Sequence, residues 1–186
     1  MPPPARCQLC LAAPAVLASD FSAVLSDILE QIEVACLRLP PEPTAHNLVQ
    51  LAQARGTAVV IDGDVEIAAA LGADGAHLND LEKYSFARRQ LGKDAIIGVY
   101  CGLSRDRAMR AGEAGADYVA LGPDLDLVRW WAEIMVVPVL AELGEALERA
   151  SEFAAAGAEF IAVGGRLWRD PAGALAAVRR LAALVA

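Results

Sequence analysis

The chain has 186 residues and a formal net charge of −8 at pH 7. That length suits one sizeable hydrophobic core and is short for two, so we expect residues 1–186 to form a single domain. The negative charge argues against nucleic acid and membrane surfaces as partners, and no run of about 18 uninterrupted apolar residues is present to span a membrane.

The first apolar segment, residues 7–18, has two interpretations. It follows Arg6 and ends in small residues, as a secretory leader does before its cleavage site. Three prolines and one arginine make a poor charged leader region, however, and cleavage would remove a predicted strand, so we favour a first strand from Gln8 to Ala13. The expected location is then cytoplasmic, with free thiols at all four cysteines, Cys7, Cys10, Cys36 and Cys101.

Short apolar segments alternate with amphipathic ones along the whole chain and predict eight strands, each followed by a helix. In chain order the predicted strands are Gln8 to Ala13, Val34 to Leu39, Thr57 to Asp62, Gly75 to Leu78, Ala95 to Tyr100, Asp117 to Leu121, Val136 to Ala141 and Glu159 to Gly164. The predicted N-terminal caps of the first, second and fifth helices are Ser19, Thr44 and Ser104. Asp170-Pro171 predicts the start of the last helix.

Three similar segments support this reading, namely 71–78, 114–121 and 156–163. Each joins a glycine that can end a helix to an acidic residue and an apolar strand. Their glycines are 43 and 42 residues apart, which is the length of two strand-plus-helix units. Regular spacing, and the absence of Gly-x-Gly-x-x-Gly after the first strand, favour a (β/α)8 TIM barrel over an open doubly wound sheet.

Function in such a barrel is expected where the strands end, because the loops at the carboxyl ends build the active site. The side chains predicted there are mostly acidic: Arg38, Asp62, Asp64, Asn79, Asp80, Glu82, Tyr100, Cys101, Asp124, Asp126, Glu142 and Arg166. After the last strand, Gly164 and Gly165 allow backbone amides to approach a phosphate, and Arg166 could add charge. The alternative is a plain turn that needs the glycines for its dihedral angles.

Several phrases resemble the family of thiamine phosphate synthase and thiazole tautomerase. They are Ile61 to Ala68, Gly72 to Leu78, Ile97 to Val99, Gly115 to Pro123 and Asp170-Pro171. The resemblance, in register from about residue 34 onward, implies a TIM barrel that joins hydroxymethylpyrimidine pyrophosphate to a thiazole phosphate with magnesium. The candidate substrate or phosphate contacts are Arg38, Asp62, Gly122, Gly164 and Gly165, to which Arg166 could add charge. The family's second magnesium carboxylate corresponds to Glu82 or Asp80, and Asp62 could replace its first from one position earlier.

The chain also departs from the family pattern at positions that the resemblance assigns to pyrophosphate, magnesium or the tautomerase base. These positions hold Pro40, Gly63, Tyr100, Gly102, Asp124 to Leu127 and Glu142-Leu143. Gly63 stands where the family has a magnesium-binding aspartate, and Asp124 and Asp126 stand where it has threonines and a lysine. Carboxylates on this rim would repel a pyrophosphate.

Two hypotheses therefore remain open, and they differ in class. The first is an enzyme of the thiamine phosphate synthase type, and the second is a catalytically impaired or repurposed member that binds one phosphorylated metabolite. A divalent ion could be gathered by Asp62, Asp64, Asp80 and Glu82, although Asp64 also fits a helix cap.

Other candidates have mainly structural explanations. The spacing Cys7-x-x-Cys10 suits redox or zinc chemistry, but on a strand the two side chains point to opposite faces. His77 is expected as a hydrogen-bonded core residue rather than a catalyst. Trp130 and Trp131 cannot both face the core, so one could line the barrel mouth or a contact in a homo-oligomer.

Overall fold

A computed structural model describes residues 7–144 and 146–186. Its eight parallel strands pair in chain order, and β8 pairs with β1 to close the barrel. The strands are β1 Gln8–Ala12, β2 Cys36–Leu39, β3 Ala58–Asp62, β4 Gly75–Leu78, β5 Ile96–Gly102, β6 Tyr118–Leu121, β7 Val139–Glu142 and β8 Phe160–Val163. The predicted (β/α)8 TIM barrel is confirmed, with the leader-like segment supplying β1.

The helices that follow these strands cover the outside of the barrel. They are α1 Phe21–Gln31, α2 His46–Gln53, α3 Val65–Leu71, α4 Tyr84–Leu91, α5 Arg105–Ala114, α6 Leu125–Ile134, α7 Ala150–Ala155 and α8 Pro171–Val185. Short 3-10 helices, Leu81–Lys83, Leu147–Arg149 and Gly165–Arg169, follow β4, β7 and β8. Within the described part of the chain, none of the helices has the length and apolar character needed to cross a bilayer.

The predicted start of β7 is the furthest from the observed one. β7 starts at Val139, three residues after the predicted start, and Val136 is 98% exposed. The apolar run continues from the end of α6 through a turn into the strand, and the Val137 carbonyl accepts a hydrogen bond from the Trp131 indole at 2.8 Å. Hydrophobicity alone cannot place a boundary inside such a run.

The helix-cap predictions divide according to where each helix begins. Ser104 accepts a hydrogen bond from a backbone amide in the first turn of α5, and Gly115 ends that helix in the left-handed conformation, as predicted. The predictions for Ser19 and Thr44 are wrong, because α1 and α2 begin one residue further along the chain. Asp170 precedes the proline that opens α8, but its side chain forms no cap hydrogen bond.

The acidic residue of each repeated segment has a structural role. Asp74, Asp117 and Glu159 each precede a strand and accept a hydrogen bond from the backbone N–H at the start of the strand before it, at 2.7, 2.7 and 2.8 Å. These carboxylates therefore join the amino ends of β3 to β4, β5 to β6 and β7 to β8. Each repeated segment thus links two neighbouring strands at the end of the barrel opposite the expected active site.

Side chains alternate along the strands between an outer apolar layer under the helices and a smaller inner cluster. The inner cluster contains Cys10, Tyr118, Ala120, Leu140 and Ala162. Cys7 belongs to the outer layer, so the Cys7–Cys10 pair points to opposite faces, and all four cysteines are free as predicted. The Tyr118 ring fills the interior above Gly98, where a Cβ atom would lie 2.0 Å from the ring.

Candidate functional site

One basic side chain joins two acidic ones inside the barrel, near the carboxyl ends of the strands. Arg38 extends from β2, and its Nε lies 3.0 Å from Oδ1 of Asp62, the last residue of β3. Its Nη1 also donates to Oε1 of Glu142, the last residue of β7 and 104 positions away in the sequence. The guanidinium therefore crosses the interior and links two strands that are not neighbours.

Burial and charge act in opposite directions on this arginine, whose side chain is only 11% exposed. Burial lowers the pKa of Arg38, but the carboxylates of Glu142 and Asp62 outweigh it and raise the pKa above its usual value. Arg38 therefore stays charged. One positive and two negative groups leave the cluster with a net charge of −1, so Arg38 is already neutralised without any ligand.

His77 lies beside this cluster on β4. Its Nδ1 shares a hydrogen bond of 2.8 Å with the Tyr118 hydroxyl, which confirms the predicted hydrogen-bonded core position. Its Nε2 lies 3.9 Å from Oε1 of Glu142 and, among the described residues, has no hydrogen-bond partner. Burial, and then the charge of Arg38, hold the pKa of His77 well below its usual value. The imidazole is therefore neutral.

The turn after β8 is held against β1. A Cβ atom on Gly164 would lie 2.9 Å from the Ala12 carbonyl oxygen, and Gly165 has φ of 46°. The Trp168 indole donates to that same carbonyl at 2.6 Å. Close packing thus requires a glycine at position 164, and a positive φ favours one at position 165, as the alternative interpretation proposed. The turn nevertheless lies at the carboxyl end of β8, at the barrel mouth. The prediction for the Arg166 side chain lies outside the described residues.

Gly122 follows β6, which is two strands away from β8 in the barrel. Its amide donates to the Gly102 carbonyl at 2.9 Å, and a Cβ atom there would lie 2.9 Å from Leu103 Cδ2. The amide is thus engaged within the protein, so the predicted ligand role of Gly122 would depend on its small size.

The acidic rim is largely used in local structure. Asp64, Asp80 and Asp124 each accept a backbone hydrogen bond at the start of a helix, at 2.9 to 3.0 Å. Asp126 pairs with Arg129 at 3.2 Å. The predicted rim of carboxylates around Asp124 is present, but these helix-capping carboxylates are partly engaged by backbone N–H groups.

The predicted magnesium ligands are not gathered into a metal site. No group of three or more His, Cys, Asp or Glu side chains suited to a metal occurs in residues 7–144 and 146–186. Both oxygens of Asp62 face the Arg38 guanidinium, at 3.0 and 3.5 Å, and Glu82 is exposed in the loop after β4. The donor set in this conformation does not fit the divalent ion that the resemblance implies.

The two adjacent tryptophans occupy different surroundings, as predicted. Trp131 is fully buried against the barrel, whereas Trp130 is partly exposed with the Arg105 guanidinium 4.5 Å from its ring centre.

A separate depression of about 690 Å³ opens at the amino ends of the strands, where Glu30 and Arg55 form an ion pair of 2.7 Å. Barrel enzymes do not use that end for catalysis.

Comparison with known proteins places the chain in a family. The sequence profile described as thiamine monophosphate synthase matches residues 42–167. The thiamine-phosphate synthase of Rhodospirillum centenum is 38% identical over 89% of this chain and 90% of its own. The chain belongs to the thiamine monophosphate synthase family. The thiamine-phosphate synthase of Hyphomonas neptunium is 35% identical over 89% of this chain and 87% of its own.

A solved structure supports the same fold. The thiamine phosphate pyrophosphorylase from Pyrococcus furiosus superposes with a TM-score of 0.80, covering 97% of this chain and 98% of that one, at 22% identity. The resemblance found in the sequence is thus confirmed at the level of family and fold, and the chain is a thiamine phosphate synthase-like barrel.

Two features of the site were missed by sequence reasoning. Glu142 was recognised at a strand end but not as the partner of Arg38, and Tyr118 was not recognised as the partner of His77. A signal for the first was available, since Arg38 and Glu142 carry opposite charges at inward-facing strand ends. Deciding that they meet requires the barrel's closure and dimensions.

Proposed function

We propose that this protein binds a phosphorylated small molecule at the carboxyl-terminal mouth of the barrel, with the phosphate on the backbone of Gly164 and Gly165. The observation that carries the proposal is the glycine turn after β8 in a member of the thiamine monophosphate synthase family. Arg38 extends into the barrel near the carboxyl ends of the same strands and is the predicted basic contact for such a ligand.

The reaction proposed for this site is the family's transfer reaction, catalysed at a low rate. Joining hydroxymethylpyrimidine pyrophosphate to thiazole phosphate requires orientation of both substrates and stabilisation of the departing pyrophosphate. Here Pro40, Gly63 and Asp124 stand at positions that the resemblance assigns to those tasks. Loss of one preorganised charge-stabilising group typically costs about a hundredfold or more in rate, and losses within one site need not add.

A second function is favoured by the Arg38 cluster itself. Because Asp62 and Glu142 already neutralise Arg38, the mouth lacks a free cation from that residue for a pyrophosphate. A protein that binds one phosphorylated metabolite without transferring it would suit this arrangement.

The proposal is tested by Gly165→Asp, which would place a carboxylate in the amide cradle. Gly56→Asp is the matched control, because Gly56 also has positive φ, of 76°, with open space around it, at the amino end of β3. In thermal-shift titrations with thiazole phosphate and thiamine phosphate, Gly165→Asp should lose protection and Gly56→Asp should keep it. Equal protection in both variants would overturn the phosphate site.

The two candidate functions are separated by a coupled assay for pyrophosphate release with magnesium present. We expect slow thiamine phosphate formation if the protein is a transferase and none if it binds its ligand without transfer. Robust magnesium-dependent formation would exclude the binding-only function and would make Asp62 and Glu82 the first carboxylates to replace.

A homo-oligomer and a cytoplasmic location stay predictions, which sedimentation and cell fractionation can test.

A further inference from the structure

We infer that Glu142 is a specificity-determining residue: by occupying Arg38, it makes the barrel mouth accept a ligand with one phosphate and reject a second anionic group at Arg38. This inference rests on the proposed function, since it names the class of ligand that the same site takes. It predicts a monophosphate whose remaining part is uncharged and can form hydrogen bonds.

Glu142 lies on β7, the strand next to the one that leads into the predicted phosphate turn. Glu142 pairs in register with Ala162 of β8, two residues before Gly164. Because β8 and β1 lie between β7 and β2, the Arg38–Glu142 ion pair crosses the interior on the inner side of the strand that leads into this turn. A ligand that extends inward from the turn therefore meets an arginine already bound to Glu142. Of the two carboxylates, Asp62 holds Arg38 through two contacts from the adjacent strand, whereas Glu142 reaches it through one contact from across the barrel. Glu142 is thus the partner that an incoming anion must displace.

Displacement by an anion is unfavourable because of where the displaced charge would go. The Glu142 side chain is only 25% exposed, so the released carboxylate would remain in the mouth beside the ligand. The cluster would then hold three negative groups and one positive group. Like charges in a poorly solvated site repel strongly, so a diphosphate is disfavoured while an uncharged group avoids this repulsion.

His77 supplies an independent indication that a polar ligand atom belongs here. Its side chain is 1% exposed, and Nε2 faces Glu142 at 3.9 Å, too far for a hydrogen bond. Buried polar atoms normally have a partner. An uncharged hydrogen-bonding group that reached between Nε2 and the Glu142 carboxylate could bond to both without disturbing the Arg38 ion pairs.

The test is calorimetric titration of the full chain with pyrophosphate and, separately, with inorganic phosphate. Glu142→Gln keeps the shape and an oxygen acceptor for Arg38 but removes the negative charge. It should bind pyrophosphate about tenfold to a hundredfold more tightly than the wild type, the range expected for one gained charge-assisted contact. Binding of inorganic phosphate should change little.

Three further variants locate the effect. Asp106→Asn removes the same charge from the first turn of α5, at the same end of the barrel, without touching Arg38, and it should leave pyrophosphate affinity unchanged. Adding Arg38→Met to Glu142→Gln should abolish the gain, and Glu142→Ala should reproduce it if Glu142→Gln folds poorly by circular dichroism. No gain in either Glu142 variant, or an equal gain in Asp106→Asn, overturns the inference. Failure of the proposed function is distinguishable, because it appears as unaltered phosphorylated-ligand protection in Gly165→Asp.

Discussion

Acidification should destabilise this protein through His77, and the effect can be isolated by His77→Asn. The chain has two histidines, and the other one, His46, is exposed on α2. His77 is buried beside the charged Arg38, so its pKa in the folded protein lies well below the usual value of about 6.5 that the unfolded chain retains. Asparagine keeps a polar group near the Tyr118 hydroxyl but cannot titrate.

The sign and size of the effect follow from proton uptake. More than about one unit above pH 6.5, neither the folded nor the unfolded state protonates this histidine appreciably, so it contributes no pH dependence there. Below that pH the unfolded state takes up a proton that the folded state excludes, and the free energy of unfolding falls by up to about 1.4 kcal/mol per pH unit. Between about pH 7 and pH 5 the loss due to His77 is at most about 2 kcal/mol, which is reached when the folded state takes up no proton.

Urea unfolding followed by circular dichroism at these pH values measures the loss. The wild type should lose up to about 2 kcal/mol more than His77→Asn over the same interval, since the carboxylates contribute alike in both. His46→Asn, which removes the exposed histidine, should retain the wild-type loss. Equal losses in the wild type and His77→Asn would refute the reasoning, and would mean that folded His77 accepts a proton, with Glu142 at 3.9 Å as its counter-ion.

Two other predictions concern the packing and capping that build the site. Gly98→Ala should cost about 1–3 kcal/mol or more of stability in urea unfolding, because its Cβ would lie 2.0 Å from the Tyr118 ring. Gly112→Ala should cost much less, because its Cβ would lie 3.2 Å from Met135 and 3.3 Å from the Trp131 ring and alanine favours the helix; equal costs would contradict the packing argument. Ser104→Ala should lower the free energy of unfolding by about 1 kcal/mol, because the Ser104 side chain caps α5. Thr44→Ala should lower it much less, since the Thr44 hydroxyl donates to Glu42 at 2.9 Å instead of capping α2. The reverse order would contradict these cap assignments.

The sequence by itself determined the architecture, because the information is local and repeated. Apolar segments of strand length, helix-ending glycines such as Gly115, and the recurring acid before each of three strands specify βα units without reference to distant residues. Local signals fail where two neighbouring positions offer equivalent choices. Ser19 and Thr44 each lie one residue before the position that precedes the helix, and hydrophobicity continues through the turn before β7.

The tertiary structure alone decided what the site residues do. Asp62 looks like a metal ligand in sequence, but closure of the barrel brings Arg38 to 3.0 Å from it. Glu142 looks like one more rim carboxylate until β7 and β2 face each other across the interior, 104 residues apart in the chain. Charges pair according to distance and burial, and both are properties of barrel closure and strand register rather than of neighbours in sequence.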